Sequence, residues 1–183
     1  MPINYYESMP WLPAHSIAAD ISSPLKEWLL DEGSLTERLK QAHRNDFAVH
    51  VLHQDKGVPT KDERHFLGAA GNDASIREVL LVCEGKPRVF ARSILPMTTV
   101  ENGNQRLLTL GEKPLGAFLF ANKELRRGAI ELCCMPASQF AEFMAEDNLS
   151  ESVWGRRSLF FLNGAPLCVC EVFLTEPVKS FTP

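Results

Sequence analysis

No run in the 183-residue sequence approaches the roughly 18 apolar residues of a helical membrane span, so a helical membrane protein is not expected. The first residues, MPINYYESMPWLPAHS, lack a basic segment followed by an apolar core, and a cytoplasmic location is expected. Charges of both signs are interspersed and sum to −4 without a basic stripe. That argues against a nucleic-acid surface and leaves the recognition of anions to a few local arginines. The cysteines supply no disulfide framework: five is an odd number, Cys133 and Cys134 are adjacent, and Cys168 and Cys170 fall on one face of a strand. Reduced thiols packed as small hydrophobes are expected. Zinc-ligand spacing is missing too, because the closest histidine pair, His50 and His53, stands without a cysteine or carboxylate cluster. A bound metal is not expected.

What is present suffices for one core: 45% of the residues are hydrophobic, and a single domain over residues 1–183 is expected. SSPLKEWLLDEG has Pro24 near a helix start and Gly33 as a stop, and SLTERLKQA opens with Ser34 and Glu37 in capping-box relation. FAVHVLH alternates as a strand. The polar stretch from Gln54 to Ser75 reads as a connection with little regular structure, long enough to be a lid. IREVLLVCEGKPRVFARSILP and SLFFLNGAPLCVCEVFL share one grammar: an apolar run, x-Gly-x-Pro, and a return run with one charge five residues beyond the proline, Arg92 in the first and Glu171 in the second. Between them, a helix is expected to end near Gly111 and another to start around Pro114, and Ala137–Ser152 reads as an amphipathic helical excursion. Hairpins dominate without βαβ alternation. The expected class is α+β, a single antiparallel sheet of about six strands with helices packed on one face.

Glu171 sits among Cys, Val, Phe and Leu, where a carboxylate loses hydration and needs compensation. A turn at Asn163-Gly164 puts Arg156 opposite it, whereas a turn at Gly164-Ala165 puts Ser158 there. In the first hairpin, a turn at Glu84-Gly85 sets Arg77 opposite Arg92 and one at Gly85-Lys86 makes them diagonal. Either register is expected to leave both arginines on one face with Val79, Leu81 and Phe90. Two cations on an apolar surface call for anions. Those are either glutamates such as Glu78 and Glu171, in a structural network, or a small dianion gripped by the guanidinium forks.

WLLDEGSLTERL, IREVLLVCEGKPRVFARSILP, LGEKPLGAFLF and WGRRSLFFLNGAPLCVCEVFL, in this order, resemble the chorismate lyase (chorismate–pyruvate lyase) family over most of the chain. The resemblance implies a cytoplasmic, cofactor-free carbon-oxygen lyase, expected to be a monomer, for the first committed step of ubiquinone biosynthesis. Chorismate would be its substrate, 4-hydroxybenzoate and pyruvate its products, with the aromatic product in an internal cavity. It also implies binding positions at Leu35, Arg77, Leu115 and Glu171. Arg77 would hold the ring carboxylate, aided by the Leu35 and Leu115 amides, Glu171 would meet the hydroxyl, and Arg92 would be free for the enolpyruvyl carboxylate. Catalysis is thereby expected of Glu171, Arg77 and Arg92. Two routes stay open: clamping of the reactive conformer, or Glu171 as general base on C4. Leu35 stands where the family often has methionine, a volume-conserving change. The Ala137–Ser152 excursion is longer than in short members. The competing class is a noncatalytic binder of small aromatic acids, since effector-binding domains of some transcription regulators resemble this fold. The chain carries no helix-turn-helix segment to accompany such a role.

Overall fold

The computed structural model describes residues 10–17, 21–44, 46–68, 73–145 and 150–175. Two hairpins form the middle of its sheet. Strands β3 (Ala74–Cys83) and β4 (Lys86–Pro96) join through Glu84-Gly85, and β7 (Ser152–Leu162) and β8 (Ala165–Phe173) join through Asn163-Gly164. All four turn residues have positive φ, between 51° and 81°, the type I′ geometry whose twist matches that of the flanking strands. β4 pairs with β8. With β1 (Leu12–Pro13), β2 (Phe47–Gly57), β5 (Arg126–Arg127) and β6 (Glu131–Pro136), the antiparallel sheet has eight strands in the order β1-β6-β7-β8-β4-β3-β2, β5 lying against β7. The expectation of about six is corrected because pairings as short as β1 and β5 leave no periodic signal in sequence.

The helices lie on both faces, which corrects the expectation of one. After a short α1 (Ala14–Ile17), α2 (Ser23–Leu29) starts with Pro24 in its first turn, and α3 (Leu35–Ala42) starts at Ser34, whose hydroxyl accepts the Glu37 N–H at 3.4 Å. Trp28, Leu29, Leu35 and Leu39 of these helices pack on the face carrying Val79, Leu81 and Ala91. Beyond α5 (Met97–Glu101), α6 (Leu115–Phe120) closes the same face over Leu95, Phe160 and Leu167. On the other face, α4 (Lys61–Leu67) covers Ile76, Ile94 and Cys168, and a 3-10 segment, Ala137–Phe143, brings Phe140 to 5.7 Å from Phe90. Every position of β3 is buried, so both sides of the sheet need cover. Among the described residues no helix is long and apolar enough to cross a membrane.

The expected irregular connection from Gln54 to Ser75 is largely ordered. β2 runs on to Gly57, and Thr60 starts α4 with a complete capping box: its hydroxyl accepts the Glu63 N–H at 3.2 Å while the Glu63 carboxylate accepts the Thr60 N–H at 2.8 Å. Positions 69–72 of that stretch, and 146–149 of the Ala137–Ser152 excursion, lie outside the described residues.

Two bulges set the faces. In β4, Val82 pairs with Pro87 but Leu81 with Val89, so Arg88 is the extra residue, and its carbonyl accepts the Leu174 N–H at 2.9 Å. Arg77 therefore stands opposite Ser93, and Arg92 opposite Glu78. The expectation that Arg77 and Arg92 share a face with Phe90 is overturned, because one extra residue moves every later side chain of β4 to the other side. In β2, Leu52 is the extra residue and brings Gln54 opposite Arg77. The second hairpin carries no bulge, and Arg156 stands opposite Glu171, as the Asn163-Gly164 turn requires.

Candidate active site

Between the sheet and the starts of α3 and α6 lies a recess of about 50 Å³. Its floor is two rows of cross-strand partners. One runs Arg77, Ser93, Val169, Ser158, and the next runs Val79, Ala91, Glu171, Arg156. Leu35, Leu115 and Phe160 line it from the sides. The two helix starts approach closely: a Cβ added to Gly116 would lie 3.0 Å from Thr36 Oγ1, so glycine there lets the first turns of α6 and α3 abut. The structure thus brings together four of the expected positions, Leu35, Arg77, Leu115 and Glu171, around one recess.

Arg77 is 1% exposed and its guanidinium meets neutral acceptors: Gln54 Oε1 at 2.6 Å, the Gly111 carbonyl at 2.8 Å and the Lys113 carbonyl at 3.3 Å. Burial pulls its pKa below the ordinary arginine value, and among the described residues no carboxylate compensates it. These bonds use three of its five N–H donors.

Glu171 has the partner that its strand position implied. Arg156 Nε donates to Glu171 Oε2 at 2.6 Å, and Arg156 Nη1 donates to the carbonyls of Trp28 at 2.8 Å and Asp31 at 2.7 Å. The ion pair and the recess coexist: the Arg156 side chain is 1% exposed, while that of Glu171 keeps 15% exposure.

Arg127, which sequence reasoning passed over, also lines the recess. Its Nε donates to Ser158 Oγ at 3.1 Å, its Nη1 to the Asp31 carbonyl at 3.0 Å, and its guanidinium lies 5.0 Å from the centre of the Phe160 ring. Burial, together with the neighbouring Arg156 charge, pushes its pKa down to about 10, which still leaves it charged at neutral pH. The available signal was the Arg126-Arg127 pair just ahead of the apolar run of β6. The Asp31 loop that meets both arginines is itself held, its carboxylate accepting the Gly33 N–H at 2.7 Å and an Arg38 N–H at 2.6 Å.

Arg92 is not brought to the recess. On the opposite face its Nε donates to Glu63 Oε1 at 2.7 Å and its Nη1 to Glu78 Oε1 at 2.6 Å. Those carboxylates outweigh the effect of burial and raise its pKa. Arg157, on the same side, pairs with Asp62 and with Glu131. α4, through Asp62 and Glu63, is therefore clamped to the sheet by two arginines and does not stand over the recess as a lid.

A family model described as chorismate lyase matches residues 6–181. The probable chorismate pyruvate-lyase of Pseudomonas putida is 39% identical over 168 residues, 91% of this chain and 89% of that protein. The protein of the same description from Psychromonas ingrahamii is 40% identical over 156 residues, 84% of this chain and 83% of its own. Among solved structures, PhnF from Mycobacterium smegmatis aligns with a TM-score of 0.57 at 13% identity, over 81% of this chain and 67% of that one. At that identity the likeness speaks to the fold alone. The family model spans nearly the whole sequence and the relatives are aligned over most of their own lengths, so this chain belongs to the chorismate lyase family.

Proposed function

We propose that this chain is a chorismate lyase that converts chorismate to 4-hydroxybenzoate and pyruvate, acting as a cytoplasmic monomer in ubiquinone biosynthesis. The observation that carries the reading is the pairing, across one recess, of an Arg77 that lacks a carboxylate partner among the described residues with a Glu171 two strands over and one row along. From strand spacing and rise, their Cα atoms stand roughly 12 Å apart on the same face. A ring with a carboxylate at one end and a hydroxyl at the other, reached by two long side chains, bridges such a span.

In this reading Arg77 holds the ring carboxylate, the Leu35 and Leu115 amides support it, and Glu171 meets the C4 hydroxyl. The ether bond at C3 breaks, the C4 hydrogen leaves, and the ring becomes a phenol. The hydrogen ends on the methylene carbon of the departing enolpyruvyl group, which becomes the methyl of pyruvate. The reaction takes up neither water nor an oxidant. Because the substrate stores the drive to aromatise, fixing its reactive conformer is the main task left to the protein.

The test is to incubate the purified protein with chorismate and measure both products. Equal amounts of 4-hydroxybenzoate and pyruvate are expected. Tight 4-hydroxybenzoate binding without turnover would favour the noncatalytic binder instead.

A further inference from the structure

We propose that Arg127 receives the second carboxylate of the substrate, the one on the enolpyruvyl side chain, and so lets the site distinguish a dianion from a monoanion. The proposal rests on the chorismate reading for the identity of the natural dianion, and on the recess alone for the charge it accepts. Charges on the two faces of the sheet are compensated differently. On the face away from the recess, Arg92 and Arg157 each pair with two carboxylates. The charged groups lining the recess are Arg77, Arg127, Arg156 and Glu171, three positive and one negative, a formal excess of two positive charges. Glu171 belongs to Arg156. Arg77 and Arg127 are left, among the described residues, with neutral acceptors only. A cation in a half-dry setting with no counter-ion is costly, and a ligand carboxylate relieves that cost.

Position then separates the two arginines. Arg77 stands at one end of its floor row, while Arg127 is bonded to Ser158 at the other end and borders the Arg156–Glu171 pair. With the ring carboxylate on Arg77 and the C4 hydroxyl on Glu171, the substituent at C3, adjacent to C4, falls on the Glu171 side of the recess, where Arg127 is. Arg127 spends two of its five N–H donors on Ser158 and Asp31, which leaves both hydrogens of Nη2 for a carboxylate.

The decisive measurement is a ratio of affinities, by calorimetry, for two stable probes: 4-hydroxybenzoate, a monoanion, and 3-(carboxymethoxy)-4-hydroxybenzoate, which adds a carboxylate through an ether at C3. The native protein is expected to prefer the dianion, and Arg127→Gln to lose that preference roughly ten- to hundredfold while its 4-hydroxybenzoate affinity stays within about threefold. Retained 4-hydroxybenzoate binding reports that the variant is folded. Arg127→Lys keeps the charge without the planar fork and should show a smaller loss in the same ratio, which gives a reading should the glutamine variant not fold. Equal losses for both probes, or an unchanged ratio in the variants, overturn the proposal even if the native protein turns chorismate over. Conversely, a native protein that fails to turn chorismate over but shows the Arg127-dependent preference keeps this inference and loses the lyase reading.

Discussion

Replacing Glu171 by glutamine separates the two roles a carboxylate can have at this position. In the native protein, Glu171 Oε2 accepts the Arg156 Nε–H at 2.6 Å, and Arg156 Nη1 donates to the carbonyls of Trp28 and Asp31. Glutamine keeps an oxygen that can accept the same bond but removes the charge. The variant therefore loses the charged part of one hydrogen bond, about 1–1.5 kcal/mol, and not the ~3–5 kcal/mol of a buried arginine stripped of its partner. For a domain of this size that lowers Tm by roughly 2–6 °C, so assays at 25 °C read a folded protein. Among the described residues Glu171 Oε1 has no hydrogen bond, which suits an oxygen kept for the ligand hydroxyl. If Glu171 orients that hydroxyl, the chemical step should slow by no more than about tenfold; loss of a general base costs ~10²–10⁴-fold. The measurement is the single-turnover rate of 4-hydroxybenzoate formation, because slow product release hides a chemical defect in steady-state kinetics. We expect the smaller effect. A drop beyond a thousandfold, in a variant with native circular dichroism and native 4-hydroxybenzoate affinity, would refute the positioning argument and make Glu171 the base.

Arg77→Ala should weaken 4-hydroxybenzoate binding by about 1.5–3 kcal/mol, and an unchanged dissociation constant by calorimetry would remove Arg77 from the site. Glu63→Gln should cost about 1.5–3 kcal/mol in urea unfolding, since it weakens the contact of Arg92 to α4. A midpoint equal to the native one would mean that the clamp is not holding the helix. The thiols should react unequally: burial pushes Cys83 and Cys133 up to about 11 and Cys168 up to about 12, and raises Cys170 well above the ordinary thiol value, while Cys134 is exposed. A thiol reagent at pH 8 should label one cysteine rapidly in the native protein and all five after denaturation; two fast thiols in the native state would contradict this packing.

The part of the site legible in sequence was the part governed by tight turns. Of the two registers open to the second hairpin, the Asn163-Gly164 turn favoured by local sequence is the one formed, and it sets Arg156 opposite Glu171. The same logic failed in the first hairpin for a physical reason. Both faces of β3 are buried, so an apolar run such as EVLLVC does not say which residues face which side, and nothing in KPRVFARSILP marks Arg88 as the extra residue. α4 was legible and missed: Thr60 and Glu63 have capping-box spacing, but the surrounding polar residues and glycines read as a loop. Arg127 was legible only as half of an Arg126-Arg127 pair, because a strand of two residues has no period, and its role emerges only from what faces it across the recess.

The bulge at Arg88 does more than redirect one arginine. Without it, Arg92 would lie directly opposite Arg77, two like charges in contact on an apolar face, and Phe90 would project into the space beneath α3. With it, Phe90 is fully buried on the other side in a stack with Phe143, ring centres 5.5 Å apart, and Arg92 falls between Glu63 and Glu78. The residues that replace them on the recess floor are Ala91 and Ser93, among the smallest in the strand. A single inserted residue therefore accounts for two properties of the site at once: the hollow itself, because a phenylalanine and an arginine have been exchanged for an alanine and a serine, and the setting of Arg77, which faces Ser93 and not a second cation, because Arg92 has been carried to the face where Glu63 and Glu78 stand. Both properties are what a buried anion with an aromatic ring requires, and neither can be read from β4 until its register is known.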